Sequence, residues 1–331
     1  MNIMLNNYCN LNCSYCFANC DPKNKADISD DNYDYIINFF KKSAHADLRL
    51  LGGEPTLHPN FEKWVNQGIE DSFFRRIQIF TNAIALDNAL SRSIVDNKVS
   101  FLINLNRPDV IGEHLYNRTI DNVENLVFEY RRRNIEPQVT LGINIFEPDF
   151  QYKYIIEQSK RLKLKTIRYS ITVPSDNNQK GSLEHYEIFV PLLVDFLDDC
   201  HRNGVSPHVD CNNPPKCIFT NEQLVNFIYS SFDLIYKGIC SPVMDIRPDL
   251  SVARCFVFEE YLSVNIKDFN TVQDVNDFFL REIDSKRYSN PPFKQCPGCR
   301  FWDEKKCIGG CLGYSVRGKS SVCYTRQLSS R

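Results

Sequence analysis

The sequence predicts an α/β fold, a full or partial barrel of βα units followed by a small cysteine-rich module. Three observations predict it. Six short apolar runs recur, the last five about 20 to 35 residues apart, the spacing of βα units around a parallel sheet. The stretches between them carry helical periodicity. The 14 cysteines of the 331-residue chain are absent from residues 21 to 199 and crowd the flanks of that region.

The first strand is Ile3 to Leu5, just before the first cysteines. A helix comes next in which Tyr33, Ile36, Ile37 and Phe40 share one face, with Ser29 at its N-cap. Leu48 to Leu51 is the second strand, and Phe61, Trp64 and Val65 open the second helix after Asn60. The remaining strands are Ile77 to Phe80, Phe101 to Leu105, Val139 to Ile145 and Ile167 to Val173. Right-handed crossovers would curl such a sheet, leaving the loops at the carboxyl ends of its strands to form the site. Beyond Asn177 the rhythm stops: residues 175 to 183 read as a polar linker. Two helices are expected around Leu192, Leu193, Phe196 and Leu197, and around Leu224, Val225, Phe227 and Ile228. The remainder of the chain is cysteine-rich and poor in regular pattern, better suited to organisation by metal than by a hydrophobic core. The chain thus divides into a βα core over 1–180, a helical bridge over 181–235 and a cysteine-rich module over 236–331.

A hydrophobic content of 43% with 24% charged residues describes a globular chain and excludes disorder. Lys+Arg 39 against Asp+Glu 41 gives a net charge of −2, without the basic field that nucleic acid partners attract. Arg131 to Arg133 reads as a solvated helix end. No apolar run reaches the length of a membrane span, and Met1 to Leu5 lacks the build of a signal peptide. The expected location is therefore the cytoplasm, where thiols stay reduced. Fourteen cysteines, more than about twice the ordinary share, then point to zinc or iron-sulfur clusters ahead of disulfides.

Cys9, Cys13 and Cys16 form C-x3-C-x2-C directly after the first strand. Three thiolates on one loop can hold three corners of a [4Fe-4S] cube and leave the fourth iron open. Cys20 stands as the alternative fourth ligand, which would close the site. In the next loop, Gly52-Gly53-Glu54-Pro55 leaves the second strand, and two glycines let backbone approach a ligand closely.

These strings resemble the radical SAM superfamily, with Tyr15 at the aromatic position of its cysteine signature and Gly52, Gly53, Glu54 and Pro55 as its GGEP motif. The resemblance implies that the GGEP backbone and Glu54 bind the amino group of S-adenosylmethionine (SAM). It extends to Thr81 and Asn82 at the end of the third strand, to Asn104 of Asn104-Leu105-Asn106 where relatives often have Ser-x-Asp, to Arg118 as a carboxylate binder, and to Asn144 on the fifth strand, which a capped strand end explains equally well. Asn104 departs from the family's Ser.

The later cysteines, Cys240, Cys255, Cys296, Cys299, Cys307, Cys311 and Cys323, taken alone also suit zinc. Their order resembles the SPASM domain of radical SAM maturases, which implies two auxiliary [4Fe-4S] clusters. Cys240, Cys255 and Cys311 would bind the first; Cys296, Cys299, Cys307 and Cys323 would bind the second. The first set is one ligand short. Cys211 or Cys217 is placed to supply it, to donate hydrogen to a product radical, or to be an ordinary thiol; Cys200, in an apolar helix, is expected to be the last of these. Two departures stand out: seven residues separate Cys299 from Cys307, and Leu250 replaces the usual Gly of a Pro-Asp-Gly turn, which predicts a turn without positive φ.

The resemblance implies an enzyme with three [4Fe-4S] clusters that cleaves SAM reductively and abstracts hydrogen from a peptide, giving a crosslink, an epimer or an oxidised side chain. The alternative is a dehydrogenase or epimerase of a small molecule such as a carbohydrate or aminoglycoside. An electron donor such as flavodoxin or ferredoxin is implied. Eight residues precede Cys9, so a peptide leader is expected to be held by a separate protein or by the C-terminal module.

Overall fold

The computed structural model describes residues 1–16, 25–172, 183–223, 225 and 239–317. Cys20, Cys323, most of the 175–183 linker and most of the helix expected at Leu224 lie outside the described residues. The chain divides into two compact units, each combining an early and a late stretch: Met1–Gly142 with Val243–Asp277, and Ile143–Pro242 with Phe278–Arg331.

The first unit is built on β1 (Asn2–Met4), α1 (Asp30–Lys42), β2 (Asp47–Leu51), α2 (Phe61–Glu70), β3 (Arg76–Thr81), α3 (Asn88–Ile94), β4 (Val99–Asn104), α4 (Pro108–Ile111), α5 (Glu113–Arg132) and the start of β5 (Val139–Ile145). Neighbours from β1 to β5 pair in parallel and in chain order. Each strand of this series overlaps the run of apolar residues expected of it, with its ends within two residues of the expected ones. α1 begins where Ser29 accepts a hydrogen bond from the Asn32 N–H, as its sequence predicts, and Asp30 and Asp31 add favourable charge to the first turn. Asn60 takes the N-cap position of α2 without a capping bond of its own; its amide donates instead to Asp30. The buried faces of α1 and α2 meet in a stack of Tyr33 on Trp64, ring centroids 3.9 Å apart.

On its other side β1 pairs in parallel with β8 (Asp245–Ile246), which continues antiparallel into β9 (Ser251–Ala253) and β10 (Ser263–Asn265). The β8–β9 turn departs from the sequence expectation: Leu250 adopts φ +67°, the conformation that favours Gly. Leu250 donates its N–H to Arg247 O and Arg247 donates its own to Ser251 O, a type I turn closed by a bulge. Burying a leucine side chain stabilises by about 2 kcal/mol, against a left-handed backbone cost of about 1. Leu250 is 2% exposed, so burial wins.

The second unit holds α6 (Lys153–Arg161), β6 (Thr166–Ile171), α7 (Leu183–Arg202) and β7 (Ser206–Val209), with β6 and β7 parallel. Here the Thr172 N–H donates to Ile145 O at the end of β5. Cys200 is fully buried on α7, a packing residue as expected. Among the described residues no helix is long and apolar enough to cross a membrane.

Candidate active site

In the first unit the residues singled out by sequence, Arg118 and Cys255 excepted, lie at the carboxyl ends of β1 to β4 and in the loops that follow. The loop after β1 runs beside the loop after β2, continuing their pairing. Leu5 donates to Leu51 O, Gly53 to Asn6 O and Glu54 to Tyr8 O at 2.8, 3.0 and 2.9 Å. The two glycines make this approach possible. A Cβ on Gly52 would stand 2.8 Å from Asn6 O, and one on Gly53 2.9 Å from Tyr8 Cα, with a still closer clash against Tyr8 O. The sequence suggests a ligand as the partner of these glycines; the structure places the chain's own cysteine-bearing loop against them.

Glu54 is 1% exposed. Its Oε1 accepts from Thr81 Oγ1 at 2.5 Å and Thr56 Oγ1 at 2.6 Å, and its Oε2 from the Asn82 N–H at 2.7 Å. Burial raises the pKa of this carboxyl while these donors pull it back down. The side chain thus fastens the end of β2 to the end of β3, and its carbonyl accepts from Asn6 Nδ2 at 2.8 Å. Pro55 comes next, at the first position of a short 3-10 turn, where its missing N–H costs nothing.

Cys9, Cys13 and Cys16 are half-buried thiols outside any disulfide. Two asparagine amides reach their sulfurs: Asn82 Nδ2 lies 3.6 Å from Cys9 Sγ and Asn106 Nδ2 3.9 Å from Cys13 Sγ. The Leu11 N–H adds a contact to Cys9 Sγ at 3.4 Å. Burial, the largest influence, pushes the Cys9 thiol up to about 11 and also raises Cys13. Tyr15 is buried, and its hydroxyl is held by Asn104 Nδ2 at 2.9 Å and by Asn106 Oδ1. Asn106 is thus a site residue that the Asn-Leu-Asn string contained but that its comparison with Ser-x-Asp did not single out. Arg118 lies exposed on α5. From the same helix Thr119 reaches Asn82 O and Asn122 reaches Ala83 O.

Among the described residues no group of three His, Cys, Asp or Glu side chains converges as a single bound ion requires. A [4Fe-4S] cube asks for something else, because it takes each thiolate at a separate iron corner. Three thiols on one loop, met by N–H donors directed at sulfur, fit that group.

In the second unit Asn144 accepts from Ser170 Oγ at 2.6 Å and Arg168 Nη1 at 2.9 Å. The remaining cysteines there fall into two sets. Cys211, Cys240 and Cys311 lie near one another: Cys211 keeps residue surface open, yet desolvation, then the neighbouring Cys240, pushes its thiol up to about 12. Burial, then Cys240 and Cys211, raises Cys311 well above its ordinary value. The Gly313 N–H points at Cys311 Sγ, 3.4 Å away. The second set, Cys217, Cys296, Cys299 and Cys307, lines one shallow cleft. The seven residues between Cys299 and Cys307 form a helical turn over Arg300–Asp303 and include Lys305 at φ +55°. Cys255 belongs to the first unit, where it begins the short turn Phe256–Phe258.

Residues 3–149 match the Radical SAM superfamily. Over 89 residues the chain is 34% identical to the S-adenosylmethionine-dependent nucleotide dehydratase of Selenomonas ruminantium, and over 84 residues 32% identical to the sporulation killing factor maturation protein SkfB of Bacillus subtilis (strain 168). These matches cover 27% and 25% of the chain, and only 31% and 20% of the two relatives. The fold is similar to native anSMEcpe with bound AdoMet, with a TM-score of 0.67 at 18% identity over 98% of this chain and 90% of that one. With AdoMet and the Kp18Cys peptide bound, anSMEcpe gives 0.64 at 19% identity over 94% and 88%. The sulfur loop, the GGEP turn and the asparagines that join them all lie inside the segment, residues 3–149, that matches the Radical SAM superfamily.

Proposed function

We propose that the protein is a radical SAM enzyme that modifies a peptide and carries two auxiliary [4Fe-4S] clusters. The observation that carries the cluster reading is the separation of the second unit's cysteines into two sets, Cys211, Cys240 and Cys311 in one and Cys217, Cys296, Cys299 and Cys307 in the other. Support for a peptide substrate comes from the maturation protein SkfB among the relatives and from the peptide held by the similarly folded anSMEcpe.

A [4Fe-4S] cluster held by Cys9, Cys13 and Cys16 would supply the electron for reductive cleavage of SAM and so for hydrogen abstraction from the substrate. The chain's own part is positional. Cys9, Cys13 and Cys16 hold the cluster, Asn82 and Asn106 direct N–H groups at two of its sulfur ligands, and Glu54 locks the GGEP turn beside it. Gly52, Gly53, Glu54 and Pro55 would offer backbone groups to SAM, together with Thr81, Asn82 and Asn104; Arg118 and Asn144 keep the roles the resemblance gives them. Cys211 is assigned to the first auxiliary set. A flavodoxin or ferredoxin would deliver the electron.

A second reading, action on a small molecule, is favoured by the nucleotide dehydratase relative. The deciding experiment supplies the anaerobically reconstituted enzyme with SAM, reductant and either a candidate peptide or nucleotides and sugars. Mass change or deuterium incorporation in the peptide supports the first reading; turnover of the small molecules alone overturns it.

A further inference from the structure

We propose that Cys217 is a ligand of the second auxiliary cluster, completing a four-thiol set with Cys296, Cys299 and Cys307. The inference rests on the reading that this unit binds auxiliary clusters. It differs from the motif order, which reserves the fourth corner for Cys323 and offers Cys217 to the first cluster or to hydrogen donation.

Four cysteines line the cleft, with Pro215, Phe301 and Trp302 supplying apolar wall. Three of them come from one segment, Cys296 to Cys307. The fourth comes from a different part of the chain and is brought there by a defined local structure. Pro215, at φ −62° and ψ 143°, ends the extended approach and caps a 3-10 turn over Lys216–Ile218 that presents Cys217. The ammonium of Lys216 lies over the Phe301 ring, 5.3 Å from its centroid, which joins that turn to the helical turn after Cys299. Cys211, six residues earlier in sequence, faces Cys240 instead.

The surroundings suit a cluster held by thiolates. The Gly309 N–H points at Cys307 Sγ from 3.3 Å, a donor aimed at a ligand sulfur. Gly309 itself has φ +73°, and its backbone fits closely against Pro292, so no side chain fits at this corner of the cleft. An apolar wall, backbone N–H groups and four cysteines are the elements that hold and tune such a centre.

The test is anaerobic reconstitution of the full chain as wild type, Cys217→Ala, Cys217→Ser and Cys323→Ala, with iron and sulfide counts and electron paramagnetic resonance of each. Three cubes give about twelve irons in the wild type. Cys217→Ala is expected to lose up to about four of them, or to show the signal of a three-iron cluster, with SAM-cleaving ability of the first cluster retained. Cys217→Ser, which keeps the volume and offers oxygen for sulfur, is expected to shift the resonance of one cluster, and it decides the matter if the alanine variant does not fold. Cys323→Ala is expected to match the wild type. A wild-type count and unchanged spectrum in both Cys217 variants would overturn the assignment. A wild type with only about four irons would overturn the auxiliary-cluster reading itself, an outcome visible before any variant is made.

Discussion

Asn82 joins the GGEP turn to the sulfur loop: its backbone N–H donates to Glu54 while its side-chain amide lies 3.6 Å from Cys9 Sγ and 2.7 Å from Asn10 Oδ1. A donor near a cluster sulfur favours the reduced, more negative state, so its loss lowers the reduction potential. Asn82→Asp keeps the size of the side chain and the acceptor for the Ile84 N–H. It replaces the donor with negative charge. The expected result is a more negative midpoint potential for the first cluster and slower SAM cleavage, read by potentiometric titration with resonance detection.

Glu54→Ala removes the acceptor for the Asn82 N–H and for two threonine hydroxyls in a buried site. Unpaired buried donors cost about 1–3 kcal/mol each. The hydroxyls can turn elsewhere, so the net loss should be about 3 kcal/mol in a denaturant titration of the cluster-free chain. Glu54→Gln keeps one acceptor for the N–H and offers donors that the hydroxyl oxygens can accept. It should lose less than half as much.

Asp245 carries a pH dependence. Burial raises its pKa from 3.8 to about 7, against the hydrogen bond from Asn2 and the charges of Arg49 and Arg247. The folded chain therefore keeps a proton that the unfolded chain releases between pH 3.8 and about 7. Stability from this group is full below that window and lost as pH rises through it. Asn2 Oδ1 is buried without a partner among the described residues, and a protonated Asp245 can donate to it. Asp245→Asn mimics that form at every pH. Its melting temperature is expected to match the wild type near pH 4 and to exceed it at pH 8, a gap that thermal melts across the window would show.

Leu250→Gly relieves the left-handed backbone at the β8–β9 turn but gives up a buried side chain. With about 1 kcal/mol regained and about 2 or more lost, the variant should be less stable by about 1 kcal/mol. A more stable variant would show that strain outweighs packing at this turn.

The strands β1 to β6 were legible because each concentrates apolar residues, in β2 to β6 interleaved with single polar ones, between turn signals, and α1 because Ser29 and the face of Tyr33, Ile36 and Phe40 agree. The strands β7 to β10 were not. They span two to four residues, too short for periodicity, and are held by their neighbours. The cysteines of the first site declared themselves by local spacing. The division of Cys211 from Cys217 did not, because six residues of sequence separate them while tertiary structure sends them to different partners. The role of Leu250 was hidden for a related reason: the residue type reports backbone preference, and burial decided against it.

The ladder from Leu5–Leu51 through Asn6–Gly53 to Tyr8–Glu54 fixes the number of residues between the first strand and Cys9. One residue inserted or deleted there would slide every bond of that ladder out of register and move the sulfur loop away from the GGEP turn. The two strings that identify the domain are therefore a single mechanical part. Length variation that preserves activity must fall outside it, and transplanting the sulfur loop into another scaffold would require carrying the glycine turn with it.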